Sequence, residues 1–191
     1  MDKHIFRADG ILQRQPKEAL LNQRGVAIWI TGLSGSGKTT IAIALEKALH
    51  TKGKLTQVLD GDNIRLGLNS NLGFSEADRT ENIRRIAEVA HLFVQCGVIT
   101  ICCFVSPTNK IRTLARNIIG SEDFLEIYVN TPLAVCEKRD VKGLYAKARK
   151  GEITDFTGVN APFEVPADAA LELNTATHTV EECVKLILEK L

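Results

Sequence analysis

The sequence predicts an α/β fold with three layers: a parallel sheet of about five strands, helices on both of its faces, and a mobile lid. Three observations support this prediction. Short apolar runs alternate with amphipathic segments, a glycine-rich turn joins the first such pair, and the apolar runs are nearly continuous, as in strands that are covered on both faces. Strands separated by helices need crossover connections, which are right-handed and produce a parallel sheet.

Each element follows from its own pattern. Apolar runs predict strands at 26–30, 56–59, 98–105 and 124–129. Apolar residues at helical spacing predict helices at 39–49, from Ser75 onwards, at 109–118 and at 179–191. Ser75 is the expected N-cap of its helix, and Asp78 three residues later resembles the partner in a capping box.

The domain organisation is simple. A chain of 191 residues that is 45% hydrophobic and 25% charged is long enough for one well-buried core, so we expect one domain at 25–191. The first 24 residues resemble a peripheral arm. The segment at about 140–166 is polar, contains glycines and has no sustained period, which predicts a mobile lid or long loop.

Composition excludes several classes of function. The formal net charge is only +1, so no global field favours binding to nucleic acid, and phosphate recognition has to be local. The chain contains no apolar run of signal-peptide or membrane-spanning length, which predicts a soluble cytoplasmic protein without a membrane partner. The five cysteines lie in no zinc-type spacing, so we expect buried, reduced thiols.

The strongest motif is a phosphate loop. Residues 32–39, GLSGSGKT, match GxxxxGK[ST] between a predicted strand and a predicted helix. Backbone N–H groups and the helix N-terminus should bind the phosphates of ATP, Lys38 should reach the β- and γ-phosphates, and the Thr39 hydroxyl should ligate Mg²⁺. The predicted ATP-binding residues here are Gly32, Leu33, Ser34, Gly35, Ser36, Gly37, Lys38, Thr39 and Thr40. The alternative is a glycine-rich turn with an incidental lysine.

A phosphate loop alone is compatible with motors, switches and small-molecule kinases. The chain has no NKxD base reader, since residues 109–112 lack the aspartate, and no apolar strand ends in Asp-Glu. Instead the second strand leads into Asp60, Asp62 and Arg65, which places carboxylates beside a cation that can hold an anionic acceptor. This pattern favours a kinase for a small molecule, and its fold is that of the P-loop NTPases.

Taken together, the motifs resemble the adenylyl-sulfate kinase family, whose members use ATP to phosphorylate the 3′-hydroxyl of adenosine 5′-phosphosulfate. The resemblance extends from residue 25 to the C-terminal helix. It rests on the blocks at 31–38, 59–65, 73–75, 78–79, 82–85, 106–107, 124–126, 135–149 and 155–158. So many blocks in the same order are far more specific than the phosphate loop alone.

The resemblance implies catalytic roles. Lys38, Asp62 and Ser106 are the expected catalytic residues, with Asp62 accepting the proton of the ribose hydroxyl. Asp60 competes for that role and is the expected second Mg²⁺ ligand beside Thr39, so the two roles can be exchanged or shared. Both aspartates can alternatively serve only to cap the following helix. For Ser106 we expect a hydrogen bond to the acceptor rather than a phosphoserine intermediate.

The family also implies binding residues. Phe74 and Phe156 correspond to its adenine clamp and Arg65 and Arg79 to its phosphosulfate ligands. The expected acceptor-binding residues are Asp60, Asp62, Arg65, Phe74, Arg79, Asn82, Val105, Ser106, Lys142, Leu144 and Phe156. Arg139, Asn174 and Thr175 are the expected contacts to the ATP base. The basic run at 138–150 is either a solvated helix or, by resemblance, a lid from which Lys142 reaches the acceptor.

The family further implies a homodimer and a separate ATP sulfurylase that supplies the acceptor. One departure follows Ser106, where the family commonly has a tyrosine and an arginine and this chain has Thr108 and Asn109. Lys110 and Arg112 preserve some charge there, while the effect on acceptor affinity is open. A kinase for another metabolite and a noncatalytic nucleotide-binding regulator are the rival hypotheses.

Overall fold

A computed structural model describes residue 6 and residues 8–191 of the chain. Residues 1–5 and residue 7 of the predicted N-terminal arm lie outside the described part. Within that part, no helix has the length and apolar character that crossing a membrane requires.

Five strands and eight helices form the described fold. The strands are β1 (Val26–Gly32), β2 (Thr56–Asp60), β3 (Ile99–Cys103), β4 (Phe124–Val129) and β5 (Leu171–Leu173). The helices are α1 (Arg14–Leu21), α2 (Lys38–Thr51), α3 (Gly61–Leu66), α4 (Glu76–Gln95), α5 (Asn109–Ile119), α6 (Leu133–Arg139), α7 (Leu144–Arg149) and α8 (Val180–Leu188). A short 3₁₀ turn, Ser121–Asp123, precedes β4.

The strands form one parallel sheet in the order β2-β3-β1-β4-β5. In its centre, Ile28 of β1 lies between Ile101 of β3 and Leu125 of β4. From β1 the chain proceeds to one side for β2 and β3 and to the other side for β4 and β5. Such a reversal opens a crevice at the carboxyl ends of the strands, and ligands of α/β proteins bind there.

Alternate side chains of β1 belong to two different cores. Ile28 and Ile30 pack with Leu45 of α2 and Ile187 of α8. Ala27 and Trp29 belong to the opposite cluster, with buried residues of α4 and α5. Because each face of the strand is covered by helices, the strand reads as a continuous apolar run. The predicted three-layer α/β fold is confirmed.

Several predicted boundaries differ from the structure. The run 98–105 ends as a strand at Cys103, because the chain then turns into the crevice at Ser106, whose φ is +38°. The pattern missed β5, which is only three residues long, and the short helices α1, α3, α6 and α7. The segment 140–166, predicted as a mobile lid or long loop, contains the short helix α7, which lies in the basic run for which a helix was one alternative.

The capping prediction for α4 is half confirmed. The Ser75 hydroxyl accepts a hydrogen bond from the amide of Asp78, as an N-cap should. The Asp78 carboxylate, however, accepts from the Ser75 hydroxyl at 2.8 Å rather than from the Ser75 amide. The complete reciprocal box occurs at α8, between Thr179 and Glu182, where it was not predicted.

The described part of the N-terminal arm is attached to the end of the sheet opposite the crevice. Arg14 on α1 forms a bidentate ion pair with Asp123 and donates to the Gly25 carbonyl at 2.8 Å. Glu18 accepts from the Gly25 amide at 2.8 Å. A Cβ on Gly25 would lie 2.3 Å from the Val94 carbonyl oxygen, so only glycine fits between α1 and α4.

We predict that Asp123→Asn lowers the free energy of unfolding by about 2 kcal/mol, because it leaves the partly buried Arg14 guanidinium without its carboxylate. The Arg14 hydrogen bonds lower the pKa of Asp123. A carboxyl with a lowered pKa stabilises the fold above its unfolded value of about 3.9 and loses that contribution as the pH falls through the folded value. Urea unfolding should therefore separate the two proteins at pH 7 and progressively less below about pH 4.

Glu122→Gln is the matched control, because Glu122 is exposed and adjacent and only its backbone carbonyl contacts Arg24. Equal destabilisation by the two variants would contradict the assignment of the effect to the Arg14–Asp123 pair.

Candidate active site

A cavity of about 680 Å³ occupies the crevice at the carboxyl ends of β1, β2 and β3. The phosphate loop forms one wall. The opposite wall is formed by α3, the start of α4 and the segment after β3, and the chain from Arg139 to Tyr145 lies across the top. The cavity therefore has two polar walls facing each other and a segment that covers both.

The phosphate loop has the backbone conformation that its glycines permit. Gly35 and Gly37 have φ values of +72° and +101°, and a Cβ on Gly35 would lie 3.0 Å from the Cys136 carbonyl oxygen. The α2 helix begins at Lys38, so its free N–H groups and positive dipole end point into the loop. This geometry binds an anion of phosphate size.

Lys38 is buried within the loop, where its ammonium donates to the Leu33 carbonyl at 2.7 Å. Burial lowers the pKa of Lys38 to about 8, because a cation without an anionic partner is poorly solvated there. A bound polyphosphate supplies the missing negative charge.

Thr175, in the C-terminal part of the chain, is hydrogen-bonded to the phosphate loop. Its hydroxyl donates to the Ser36 carbonyl at 2.8 Å and lies 2.8 Å from the Thr131 hydroxyl. Arg139 donates to the Thr175 hydroxyl at 2.7 Å and to its carbonyl at 2.8 Å. Arg139 and Thr175 line the cavity, whereas Asn174 does not; its side chain accepts from the amide of Ala176.

Three cavity residues at the start of α8 were not predicted from the sequence: His178, Thr179 and Val180. They lie just beyond Thr175, on the turn that leads into the helix. The Thr179 capping box was a readable signal, because it places the first turn of α8 directly after the segment that contacts the loop.

Thr39 and Asp60 bring the two walls together. The Thr39 hydroxyl lies 2.8 Å from Asp60 Oδ2, and the amide of Asp62 donates to Asp60 Oδ1 at 3.0 Å. The buried Cys103 thiol is also within hydrogen-bonding distance, at 3.5 Å from Asp60 Oδ2. Burial opposes the charge on Asp60, but the hydrogen bonds from Thr39 and Asp62 outweigh it and lower the pKa of Asp60.

A hydroxyl and an ionised carboxylate are the oxygen donors that Mg²⁺ prefers, and the ion commonly needs only one or two protein ligands beside phosphates and water. Thr39 and Asp60 therefore fit the predicted magnesium site. Asp60 is also the N-cap of α3, so it does cap the following helix, and this contact does not conflict with metal binding.

Asp62 lies on the first turn of α3 with its side chain exposed to the cavity mouth. Its carboxylate forms an ion pair with Lys142, which reaches it from the covering segment. Among the described residues, the Asp62 side chain caps no helix, so the capping alternative fails for Asp62.

The wall opposite the loop carries two arginines around one aromatic ring. The Arg65 guanidinium lies 4.3 Å from the centre of the Phe74 ring, and that of Arg79 lies 5.9 Å from it. Arg79 also donates to the Asp155 carbonyl at 2.6 Å and lies 3.3 Å from the Thr157 hydroxyl. Phe74 is 63% exposed, so its ring is available for stacking.

Phe156 lines the same cavity and lies beyond the covering segment in the sequence. Its ring packs edge-on against Tyr145, with centroids 5.0 Å apart. Tyr145, which was not predicted as a site residue, donates to the Ser34 carbonyl at 2.9 Å. The aromatic pair thereby connects the covering segment to the phosphate loop.

Ser106 is buried at the floor of the cavity, beside Val105. Its hydroxyl accepts from the indole N–H of Trp29 at 3.0 Å and lies 3.4 Å from the Phe104 carbonyl. A positive φ at a serine is uncommon and holds this residue at the turn out of β3.

Thr108 and Asn109, which replace the family's usual tyrosine and arginine after Ser106, lie at the start of α5. Thr108 is the N-cap of α5. Arg112 is buried and does not line the cavity; it forms an ion pair with Glu126 at 3.1 Å and donates to the Ser106 carbonyl at 2.7 Å. The charge that Arg112 preserves after Ser106 is therefore bound to internal partners and does not face the cavity.

Comparison with known proteins identifies the family. A family model described as adenylylsulphate kinase matches residues 24–174. An adenylyl-sulfate kinase of Bacteroides fragilis is 65% identical over 181 residues, which are 95% of this chain and 90% of the relative. The chain belongs to the adenylyl-sulfate kinase family.

Solved structures of adenylyl-sulfate (APS) kinases agree with this. The Mycobacterium tuberculosis APS kinase CysC in complex with AMPPNP and APS is 46% identical, with a TM-score of 0.84 over 87% of this chain and 97% of that one. A hexameric APS kinase from Thiobacillus denitrificans is 31% identical, with a TM-score of 0.66 over 93% of this chain and 30% of that one.

Most residues predicted from the phosphate loop and the adenylyl-sulfate kinase motifs line the same cavity, the crevice described above. They are Ser34, Gly35, Gly37, Lys38, Thr39, Thr40, Asp60, Asp62, Arg65, Phe74, Arg79, Asn82, Val105, Ser106, Arg139, Lys142, Leu144, Phe156 and Thr175. Four predicted residues do not line it: Gly32, Leu33, Ser36 and Asn174. Of these, Leu33 and Ser36 support the loop through their carbonyls, which accept from Lys38 and Thr175.

We predict that ATP binding weakens by about tenfold between pH 7.5 and pH 9, because the ligand-free Lys38 loses its proton near pH 8. Bound phosphates favour the charged amine, so binding above that pH also takes up a proton. Calorimetric titration with a non-hydrolysable ATP analogue measures both quantities.

Lys38→Arg is the control, because a guanidinium stays charged throughout this pH range. Its affinity, although lower, should not vary with pH. A parallel decline in Lys38→Arg would show that another group causes the pH dependence.

Proposed function

We propose that the chain transfers the γ-phosphate of ATP to the 3′-hydroxyl of adenosine 5′-phosphosulfate, giving 3′-phosphoadenosine 5′-phosphosulfate and ADP. The observation that carries the proposal is the meeting of two walls in one cavity. A phosphate loop faces Asp62, Arg65, Phe74 and Arg79 across it. The M. tuberculosis relative was solved in complex with both AMPPNP and APS, which supports a site that takes ATP and adenylyl sulfate together.

ATP lies along the phosphate loop in this proposal. The N-terminus of α2 and Lys38 hold the β- and γ-phosphates, and Arg139 and Thr175 contact the base side. Thr39 and Asp60 would hold Mg²⁺, and the bound ion would neutralise negative charge on the transferring phosphate group. The Thr39–Asp60 contact at 2.8 Å supports this assignment.

The acceptor lies against the opposite wall. Phe74 and Phe156 offer aromatic faces for its adenine, and Arg65 and Arg79 offer guanidinium groups for its phosphosulfate. Both guanidinium groups lie close to the Phe74 ring, so one small region of the wall presents an aromatic face and two cations. This pairing suits an adenine nucleotide with an anionic tail better than it suits a sugar.

Asp62 accepts the proton of the 3′-hydroxyl as the oxygen attacks the γ-phosphorus and the bond to the β-phosphate oxygen breaks. The exposed carboxylate at the cavity mouth supports this role, because it is not committed to the fold. Asp60, by contrast, is occupied by Thr39 and two other donors, which favours metal binding over proton transfer.

Lys142 and its segment act as the lid. In the described structure Lys142 pairs with Asp62, so the bound acceptor has to share or replace this contact. Lys142 would then hold the acceptor while Leu144 and Tyr145 exclude water from the transferring phosphate.

Two further parts of the proposal concern partners. A homodimer is expected from the family, and the hexameric relative supports self-association in general. A separate ATP sulfurylase is expected to supply the adenylyl sulfate.

We predict that the purified protein, with ATP, Mg²⁺ and adenylyl sulfate, forms ADP and a product phosphorylated on the 3′-oxygen. Asp62→Asn should lower kcat by about 10²–10³-fold, as loss of a general base does. Asp60→Asn should instead raise the Mg²⁺ concentration needed for half-maximal rate. A coupled ADP assay and phosphorus NMR of the product measure these effects.

Glu76→Gln is a suitable control, because it removes an exposed carboxylate near the start of α4 that does not line the cavity. Full activity of Asp62→Asn would remove the proposed base. Faster turnover of another metabolite would indicate a different kinase, and tight ATP binding without turnover would indicate a regulator.

Ser106 provides a separate prediction. Its hydroxyl already accepts from Trp29, and direct in-line transfer needs no covalent step, so Ser106→Ala should raise the KM for adenylyl sulfate while leaving appreciable kcat. Single-turnover quenching with labelled ATP checks the wild type. A phosphoserine at Ser106 that forms and decays as fast as turnover would overturn direct transfer.

A further inference from the structure

Asn69 is a fully buried polar residue that the proposed reaction does not use. It lies in the loop between α3 and α4, with 0% of its surface exposed. Its backbone N–H donates to the Ile64 carbonyl at 3.0 Å, and its backbone carbonyl accepts from the backbone N–H of Leu72 at 3.1 Å. These two bonds fold the loop, but they use only the backbone and do not require an asparagine side chain.

The Asn69 side chain is directed at Asn82 on α4. Its Nδ2 lies 2.9 Å from Asn82 Oδ1 and 3.4 Å from the Asn82 backbone carbonyl. A backbone carbonyl can only accept, so the Asn69 group beside it has to be the NH₂, which can serve both oxygens. The Asn82 atom that faces Asn69 is therefore its side-chain oxygen.

This contact determines what Asn82 presents to the cavity. An asparagine amide has one oxygen and one NH₂ group, on opposite sides. Asn82 lines the cavity, and within the described residues its NH₂ donates no hydrogen bond. With the oxygen held by Asn69, the NH₂ remains for a ligand.

We infer that Asn69 is a positioning residue that orients the Asn82 amide, so that the acceptor half of the cavity offers a hydrogen-bond donor and selects a ligand atom that accepts. Without Asn69 the amide could turn over and present its oxygen, which would repel such an atom. The identity of the ligand, adenylyl sulfate, rests on the proposed function.

The position of Asn69 in the chain explains why its buried side chain should affect the acceptor half of the cavity and not the ATP half. The loop it holds connects Arg65 to Phe74, and Asn82 follows on α4. These elements form the wall opposite the phosphate loop, and Asn69 itself does not line the cavity. A change in the Asn82 orientation should therefore affect the acceptor and not ATP.

A double-mutant cycle tests the inference through KM. Asn69→Leu, Asn82→Leu and the double variant are assayed with adenylyl sulfate varied at saturating ATP, and then with ATP varied. Each single variant should raise the KM for adenylyl sulfate by about tenfold, the value of one lost hydrogen bond, with the KM for ATP unchanged. The double variant should also raise the KM for adenylyl sulfate by only about tenfold, because Asn69 acts only through Asn82.

Asn71→Leu is the matched control, because Asn71 is an exposed asparagine in the same loop that pairs with Arg85 outside the cavity. It should leave both KM values unchanged. A merely structural Asn69 would give multiplicative effects of about a hundredfold in the double variant, or would raise the KM for ATP as well, and either result overturns the inference.

A second cycle measures urea unfolding of the same four proteins and tests the Asn69–Asn82 contact without using activity. Coupled effects on stability support the contact, and additive effects overturn it. Asn69→Ser replaces Asn69→Leu if the larger side chain prevents folding. A wild-type protein inactive on adenylyl sulfate but coupled in unfolding would overturn the proposed function while supporting the contact.

Discussion

The hydrogen bond between Thr39 and Asp60 is the contact on which the candidate site depends. Thr39 belongs to the first turn of α2 and Asp60 ends β2, so this 2.8 Å contact joins the phosphate loop to the start of the opposite wall. It is possible because β3 lies between β1 and β2 in a parallel sheet, which brings all three carboxyl ends to one edge. Displacing either residue would separate the phosphate loop from the opposite wall and dismantle the pair of oxygens suited to Mg²⁺.

The two walls are built differently, and this explains how the fold serves two ligands. The carbonyls of the phosphate loop accept hydrogen bonds from Lys38, Thr131 and Thr175. The opposite wall consists of short elements after β2, stabilised by buried asparagines and by guanidinium groups around an exposed ring. The covering segment contacts both walls through pairs such as Lys142 with Asp62, which are exposed and therefore contribute little to stability. Such contacts can break and reform during a catalytic cycle.

The sequence predicted correctly those elements whose pattern is local, and it did not predict those that depend on packing between distant residues. Strands buried on both faces and amphipathic helices produce strong local patterns, so β1–β4 and the helices α2, α4, α5 and α8 were predicted. The strand β5 was not, because its three residues carry no period and its pairing with β4 comes from distant packing. The helix at Leu144–Arg149 has no clear period of its own, since it is held by Asp140 and by packing on the phosphate loop.

By itself the sequence determined the fold class, the phosphate loop and the family, because these depend on local spacing and on the order of motifs along the chain. Only the tertiary structure decided which predicted residues face the cavity. It assigned Arg112 to an internal ion pair, excluded Asn174 from the cavity lining, and gave Asp60 three hydrogen-bond donors while leaving Asp62 exposed. The physical reason is that burial and the direction of a side chain result from contacts between residues far apart in sequence, which local spacing does not encode.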